Sequence, residues 1–269
     1  MKRKLFLSLA LGVALAIPAG AGNDITVAAY YFPNYHPSDP RNAVTKGSGW
    51  SEWELVKAAR PRFPGHVQPN APLWGYTDES DPKVMEQKIA AAAGHGIDAF
   101  IYDWYFYEDG PFLRRGLEQG FMKAANNHRL KFGLMWANHD WIDIFPCRPK
   151  ESPKVLYPSR MTPEGFARMA DYVIGAYFKH PSYWLVDGKP YFSVYELGTL
   201  IQGFSSVQAT RAGLDRFREK VKQAGFPGLH LNAVVWGGVI LPGENTPTEP
   251  AKLVTDLGFD SVTSYTDSD

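Results

Sequence analysis

The sequence predicts an α/β chain organised as a (β/α)8 barrel, truncated after about six β/α units. Two observations predict the parallel sheet. Short apolar runs rich in β-branched and aromatic residues alternate with helical runs, and no Asn-Gly type hairpin signal stands out between them. A third observation separates the barrel from an open doubly wound sheet. The first strand run ends in Phe32-Pro33-Asn34-Tyr35-His36, with no GxGxxG or Walker pattern. Each strand run instead ends in Trp, Tyr, Asp, Glu or His, and a barrel carries its chemistry at those C-terminal ends.

The elements follow in order. Ile25 to Phe32 reads as a buried inner strand, and Tyr30, Tyr31 and His36 at its end are expected to point to the mouth. The stretch Gly47 to Pro69, GSGWSEWELVKAARPRFPGHVQP, is too long for an idle loop and too aromatic for a disordered one. Asp81 and Pro82 supply an N-cap and a first helical residue, and Gly94 or Gly96 stops that helix. Ile97 to Tyr105 is the second strand, with Asp103 and Trp104 near its end. Phe112 to Asn127 is expected to be a helix. Lys131 to Trp136 is the third strand and runs into Ala137-Asn138-His139-Asp140-Trp141. Thr162-Pro163 opens the next helix by the same cap-then-Pro rule. Pro190 to Leu197 is the fourth strand, ending in Tyr195 and Glu196. Ser206 to Ala224 is a charged amphipathic helix. Leu229 to Trp236 is the fifth strand, a short helix runs from Pro250 to Gly258, and Asp260 to Tyr265 is the sixth strand.

Composition narrows the function. The 269 residues suffice for one sizeable core, and 28 basic residues balance 28 acidic ones. A neutral chain does not recommend nucleic acid or an anionic membrane as a partner. Residues 1–21 read as a signal peptide: Lys2, Arg3 and Lys4, an apolar run from Leu5 to Ile17 too short to span a bilayer, and a small-x-small site at Ala19-Gly20-Ala21. A mature start near Gly22, no stable membrane anchor after cleavage, and a secreted or periplasmic location are expected, with residues 22–269 forming a single barrel domain. The single cysteine, Cys147, excludes an intrachain disulfide. The seven histidines show no metal-ligand spacing, so neither a metal nor another cofactor is expected.

The aromatic content, 14%, fits an uncharged ring-shaped ligand. A sugar stacks its C–H face on an aromatic ring while its hydroxyls need donors and acceptors. Carboxylates in a pocket walled by Trp and Tyr are the parts of glycoside hydrolysis, one an acid of raised pKa and the other a base or nucleophile. Asp103, Asp140 and Glu196 are the catalytic candidates. Each also has a plainer use: Asp103 as a partner for backbone or indole groups, Asp140 as a turn cap, Glu196 as a loop anchor. Substrate-binding candidates are Tyr31, His36, Trp50, Glu52, His66, Gln68, Trp104, Trp136, Asn138, His139, Tyr195, Trp236 and Tyr265. No GxSxG motif supports serine chemistry.

The segments Tyr30-Tyr31-Phe32-Pro33-x-Tyr35-His36, Gly49-Trp50-x-Glu52-Trp53, Phe63-Pro64-Gly65-His66-x-Gln68-Pro69, Asp81-Pro82-x-Val84-Met85, Gly96-Ile97-Asp98 and Trp136-Ala137-Asn138 occur in one order. In this the chain resembles WbsX-type, glycoside hydrolase family 99-like proteins. The resemblance implies a (β/α)8 barrel acting on a polysaccharide or oligosaccharide, with endo-mannosidase-like, retaining hydrolysis. It implies sugar binding for Tyr31, Trp50, Glu52, His66, Gln68, Trp136 and Asn138. It also implies a catalytic Glu pair that no position here matches, expected beyond residue 269. Three functions stay open: an exported glycoside hydrolase, a non-catalytic glycan-binding protein, and a glycosyltransferase of surface polysaccharide. The only Asp-x-Asp, Asp267-Ser268-Asp269, reads as a chance match.

Overall fold

A computed structural model describes residues 25–144, 150–235 and 250–264. Residues 1–21, Cys147, Trp236 and Tyr265 therefore lie outside the described residues. In chain order the elements are β1 (Ala28–Tyr31), α1 (Pro40–Lys46), α2 (Trp53–Ala58), α3 (Pro82–Gly94), β2 (Ala99–Tyr107), β3 (Gly110–Phe112) and β4 (Lys131–Trp136). Then come β5 (Trp141–Ile142), β6 (Val155–Tyr157), α4 (Pro163–Val173), β7 (Leu185–Val186), β8 (Lys189–Val194), α5 (Leu197–Phe204), α6 (Val207–Gln223), β9 (His230–Val234), α7 (Pro250–Leu257) and β10 (Ser261–Thr263).

Six of these strands form one parallel sheet in the order β1-β2-β4-β8-β9-β10, each neighbour being the next long strand in sequence. This is the order of a (β/α) barrel wall. The sheet is strongly curled. Laid flat, six strands would set β1 and β10 about 24 Å apart, yet the Tyr30 hydroxyl lies 3.1 Å from Thr263 Oγ1. The concave face is lined by Ile101, Tyr105, Tyr107, Met135, Tyr191 and Val234. The convex face carries Phe100, Tyr102, Trp104, Phe106, Phe132, Leu134, Trp136, Phe192 and Leu231, packed beneath helices that contribute Met85, Ile89, Phe166, Val173, Leu214 and Phe217. These two faces are the period-2 alternation of each strand.

The helices begin where their caps place them. Asp81 accepts from the Lys83 amide, Thr162 from Gly165 and Ser206 from Ala209, each just before a helix. Asp39 does the same for α1, accepting from the amides of Arg41 and Asn42 with Pro40 at the first position. Helices α1, α2 and α5 are absent from the sequence reading.

Two expectations are corrected. The helix expected over 112–127 does not form. Leu113 has φ +53°, a π-turn runs Gly116–Gly120, and two 3-10 turns follow at Phe121–Lys123 and Asn127–Arg129. Gly120 explains the close packing there: a Cβ on it would sit 2.0 Å from the Glu79 carbonyl oxygen. Antiparallel hairpins also exist beside the parallel sheet. β7 and β8 are joined by Asp187-Gly188, at φ +51° and +76°, the Asp-Gly signature of a two-residue hairpin. β3 folds back on β2 through Glu108-Asp109, and β5 pairs with β6.

Candidate functional site

At the C-terminal rim, α1, the start of α2 and β5 enclose a cleft of about 170 Å³. Its walls are Asn42, Lys46, Trp50, Glu52, His139, Asp140, Trp141, Ile142 and Ile144. Trp50 and Trp141 are both half-buried and share the wall with the polar groups. Glu52 is only 8% exposed. Its Oε1 accepts from Asn34 Nδ2 at 2.7 Å, and Asn34 Oδ1 accepts from Asn42 Nδ2 at 2.7 Å. Burial lifts the Glu52 carboxyl above its ordinary range, although the Asn34 hydrogen bond and the Lys46 charge pull the other way. Lys46 is ion-paired with Asp143.

A second polar group of side chains sits on the concave face. Asp103, 5% exposed, projects from the middle of β2. Its charge is felt by Tyr30 and Tyr195. Burial first, then Glu196, Asp103 and Tyr30, push the Tyr195 phenol up to about 12. Asn232 extends this cluster, donating to Ser193 Oγ at 2.9 Å and Thr263 Oγ1 at 3.0 Å. His139 joins the two regions: it lines the cleft, and its ring centre lies 5.5 Å from that of Tyr195 and 5.8 Å from that of Tyr105.

The expected site residues divide accordingly. Trp50, Glu52, His139 and Asp140 meet in the cleft, while Asp103 and Tyr195 meet on the concave face. Asp140 also anchors a loop, its Oδ1 accepting from the Ser159 amide at 2.7 Å and hydroxyl at 2.8 Å. Glu196 accepts from Thr199 at the start of α5. Asn138 ties two strand ends together, donating to the Glu196 carbonyl and accepting from its amide, both at 2.7 Å.

Tyr31, Trp104 and Trp136 do not face the mouth. They occupy the convex parity of their strands. Tyr31 donates to Glu79 Oε1 at 2.5 Å, Trp104 Nε1 to Tyr177 at 3.2 Å, and Trp136 Nε1 to the Phe106 carbonyl at 3.1 Å. His36 is fully buried beneath the rim with Nδ1 3.3 Å from Ser38 Oγ. His66 and Gln68 interact with each other at 3.4 Å in an outlying loop where Phe63 stacks on His66.

The family model described as "Glycosyltransferase WbsX" matches residues 27–265. The chain belongs to the WbsX family. Two curated relatives, each named "Uncharacterized protein WxcX", come from Xanthomonas campestris pv. campestris strains B100 and ATCC 33913. Each is 29% identical over 241 residues, covering 89% of this chain and 31% of the relative. The WbsX-family chain thus spans about a third of their length. Among solved structures, a GH99 endo-alpha-mannosidase from Bacteroides thetaiotaomicron in complex with bis-tris-propane aligns with TM-score 0.49 and 12% identity, over 89% of this chain and 58% of that one. A protein titled "Glycoside hydrolase-like protein" aligns with TM-score 0.41 and 14% identity, over 78% and 51%.

Sequence reasoning missed several members of the WbsX-family cleft. Asn42 and Lys46 ride on α1, whose start was signalled by Asp39-Pro40 in the same way that Asp81-Pro82 signals α3. Trp141 follows His139 and Asp140 directly but was not among the candidates. Nothing local marks Asn34 as the support of Glu52.

Proposed function

We propose that this chain takes a polysaccharide or oligosaccharide across the rim, one sugar lying between Trp50 and Trp141 and the next reaching past His139 toward Asp103 and Tyr195. The observation that carries this reading is the cleft itself. Two half-buried tryptophans share its wall with carboxyl, amide, ammonium and imidazole groups, which suits a ligand with apolar faces and hydroxyl edges. Family membership supports a glycan as the substrate class.

Hydrolysis of a glycosidic bond is the reaction we favour, with mannosides first to be tested. Asp103 is the proposed carboxylate at the barrel interior, and the leader-like N-terminus supports export. The decisive assay incubates the full natural chain with α-mannan and follows new reducing ends, beside a parallel assay for nucleotide release from nucleotide sugars. New reducing ends, lost in Asp103→Asn, are expected. Nucleotide release with no cleavage overturns the hydrolase reading. The second reading, glycan binding without turnover, is favoured by Asp140 and Glu196 being engaged as anchors. Saturable mannan binding with no product of either kind establishes it.

A further inference from the structure

We propose that the rim cleft is a subsite for a neutral sugar, and that Glu52 meets it as a carboxylic acid, its Oε2–H donating to a sugar hydroxyl. The inference rests on the glycan reading above and narrows it to a substrate class.

Geometry separates the two oxygens of Glu52. Asn34 approaches Oε1 from behind the cleft wall, and Asn34 is itself oriented by the donation it receives from Asn42. That arrangement leaves no freedom to turn the Asn34 amide round without losing both bonds. Oε2 has no hydrogen-bond partner among the described residues and is not sealed from solvent. A side chain more than nine-tenths buried therefore offers one oxygen to the cleft it lines. Its one hydrogen-bond partner among the described residues is a neutral amide, which does not compensate a buried negative charge in the way an ion pair does.

The charges around Glu52 agree. Lys46 reaches the cleft from α1, but Asp143, just past β5, already holds its ammonium. Asp140 and His139 face the cleft from the segment before β5. Tyr35, after β1, has its phenol raised first by burial and next by Glu52. Burial likewise outweighs the Asn34 hydrogen bond and the Lys46 charge at Glu52, raising its carboxyl pKa. A uronic acid entering this space would bring a carboxylate toward Asp140 and Asp143 with the one lysine of the wall already paired. A neutral sugar meets the Oε2–H donor, which matches the acceptor oxygen of a sugar hydroxyl.

The test is calorimetric titration of the full natural chain with a mannan-derived oligosaccharide and with an oligouronate of matched length, from about pH 5 to about pH 8. Wild type is expected to bind the neutral probe about tenfold more tightly than the uronate, and progressively less tightly as pH rises. Glu52→Gln, which keeps a donor and an acceptor, should bind at the low-pH wild-type affinity throughout. Glu52→Ala should lose about tenfold, the upper end for one hydrogen bond. Trp50→Ala should weaken every form. If wild type binds neither probe, or Trp50→Ala changes nothing, the glycan reading fails and this inference goes with it. Trp50-dependent binding with a flat pH profile, with tighter uronate binding, or with Glu52→Gln as weak as Glu52→Ala overturns this inference alone. Thermal melts of both Glu52 variants show whether either loss reflects unfolding, and Glu52→Gln remains decisive if Glu52→Ala does not fold.

Discussion

Tyr31 offers a direct contest between a sugar-binding role and a structural one. Its hydroxyl donates to Glu79 Oε1 at 2.5 Å, and the same oxygen is ion-paired with Lys88. Glu79 is 1% exposed, and its other oxygen accepts from the Tyr35 amide at 3.3 Å. Tyr31→Phe removes one donor from this carboxylate but keeps the ring against Phe100 and Tyr102, whose centroids lie 4.7 and 5.0 Å away. A hydrogen bond to a charged group is worth about 1.5–3 kcal/mol. The lower half of that range is expected, because Lys88 and the Tyr35 amide remain to hold Glu79. Urea denaturation should therefore show Tyr31→Phe destabilised by about 2 kcal/mol. Glycan affinity in the same preparation should stay within about twofold, since the hydroxyl points beneath the helix layer and not into the cleft. Unchanged stability with a large loss of affinity would refute this placement of Tyr31 and restore it to the binding surface.

Three further outcomes follow from the same coordinates. Gly120→Ala should cost about 3 kcal/mol in urea melts, because the new Cβ meets the Glu79 carbonyl oxygen at 2.0 Å and Met85 Cγ at 2.8 Å, and a backbone carbonyl cannot swing aside. A loss below about 1 kcal/mol shows that the turn relaxes. Arg41 lies over Tyr157, Tyr107 and Phe112 at 4.6, 5.6 and 5.8 Å, while its ionic partner Asp109 is largely exposed. Arg41→Leu should therefore lose about 2 kcal/mol, mostly insensitive to salt, whereas a loss abolished by high salt assigns the effect to the ion pair. Glu52 has a raised pKa in the fold, so the folded state holds its proton over a pH window where the unfolded chain has released it. Its contribution to stability is fully present below the ordinary carboxylate range and is lost as pH rises through the folded value. Glu52→Gln should consequently gain stability relative to wild type as pH rises to neutrality, and a constant difference across pH contradicts the shift.

The barrel wall was legible because its strands are long apolar runs with capped helices between them. The strand at 131–136 and the helix opened by Thr162-Pro163 fall where the residues place them. Helix α1 was legible too, through Asp39-Pro40, the same cap-then-Pro signal that opens α3. The broken segment after Phe112 was not legible. Its apolar spacing is helical, and Gly120 there lies so close to the Glu79 backbone, distant in sequence, that a Cβ would clash with it. The cleft was half legible: Trp50 and Glu52 stand two residues apart and His139 and Asp140 are consecutive, whereas Asn34 and Asn42 act on Glu52 only through tertiary packing.

Strand parity is hidden in this sequence for a definite physical reason. A strand buried on both faces is apolar on both, so its sequence does not say which residues face the barrel interior. In a parallel sheet, however, register ties neighbours together. Asp103 pairs with Met135 and Ser193 lies beside Met135, while Trp104 pairs with Trp136 and Trp136 with Val194. Choosing the direction of one residue therefore decides the whole row. Asp103 is the residue to choose. A carboxylate under an apolar helix layer is far costlier than one on a face that also carries Ser193 and Asn232. Once Asp103 points inward, Trp104, Trp136 and Tyr31 must point outward, since Tyr31 pairs with Tyr102 in the opposite row. Asp103 and Trp104 cannot both be mouth residues, because consecutive strand positions point to opposite faces. The aromatic surface that lines the cleft comes instead from Trp50 and Trp141, which lie beyond strand parity, one in a loop and one in the small β5–β6 hairpin.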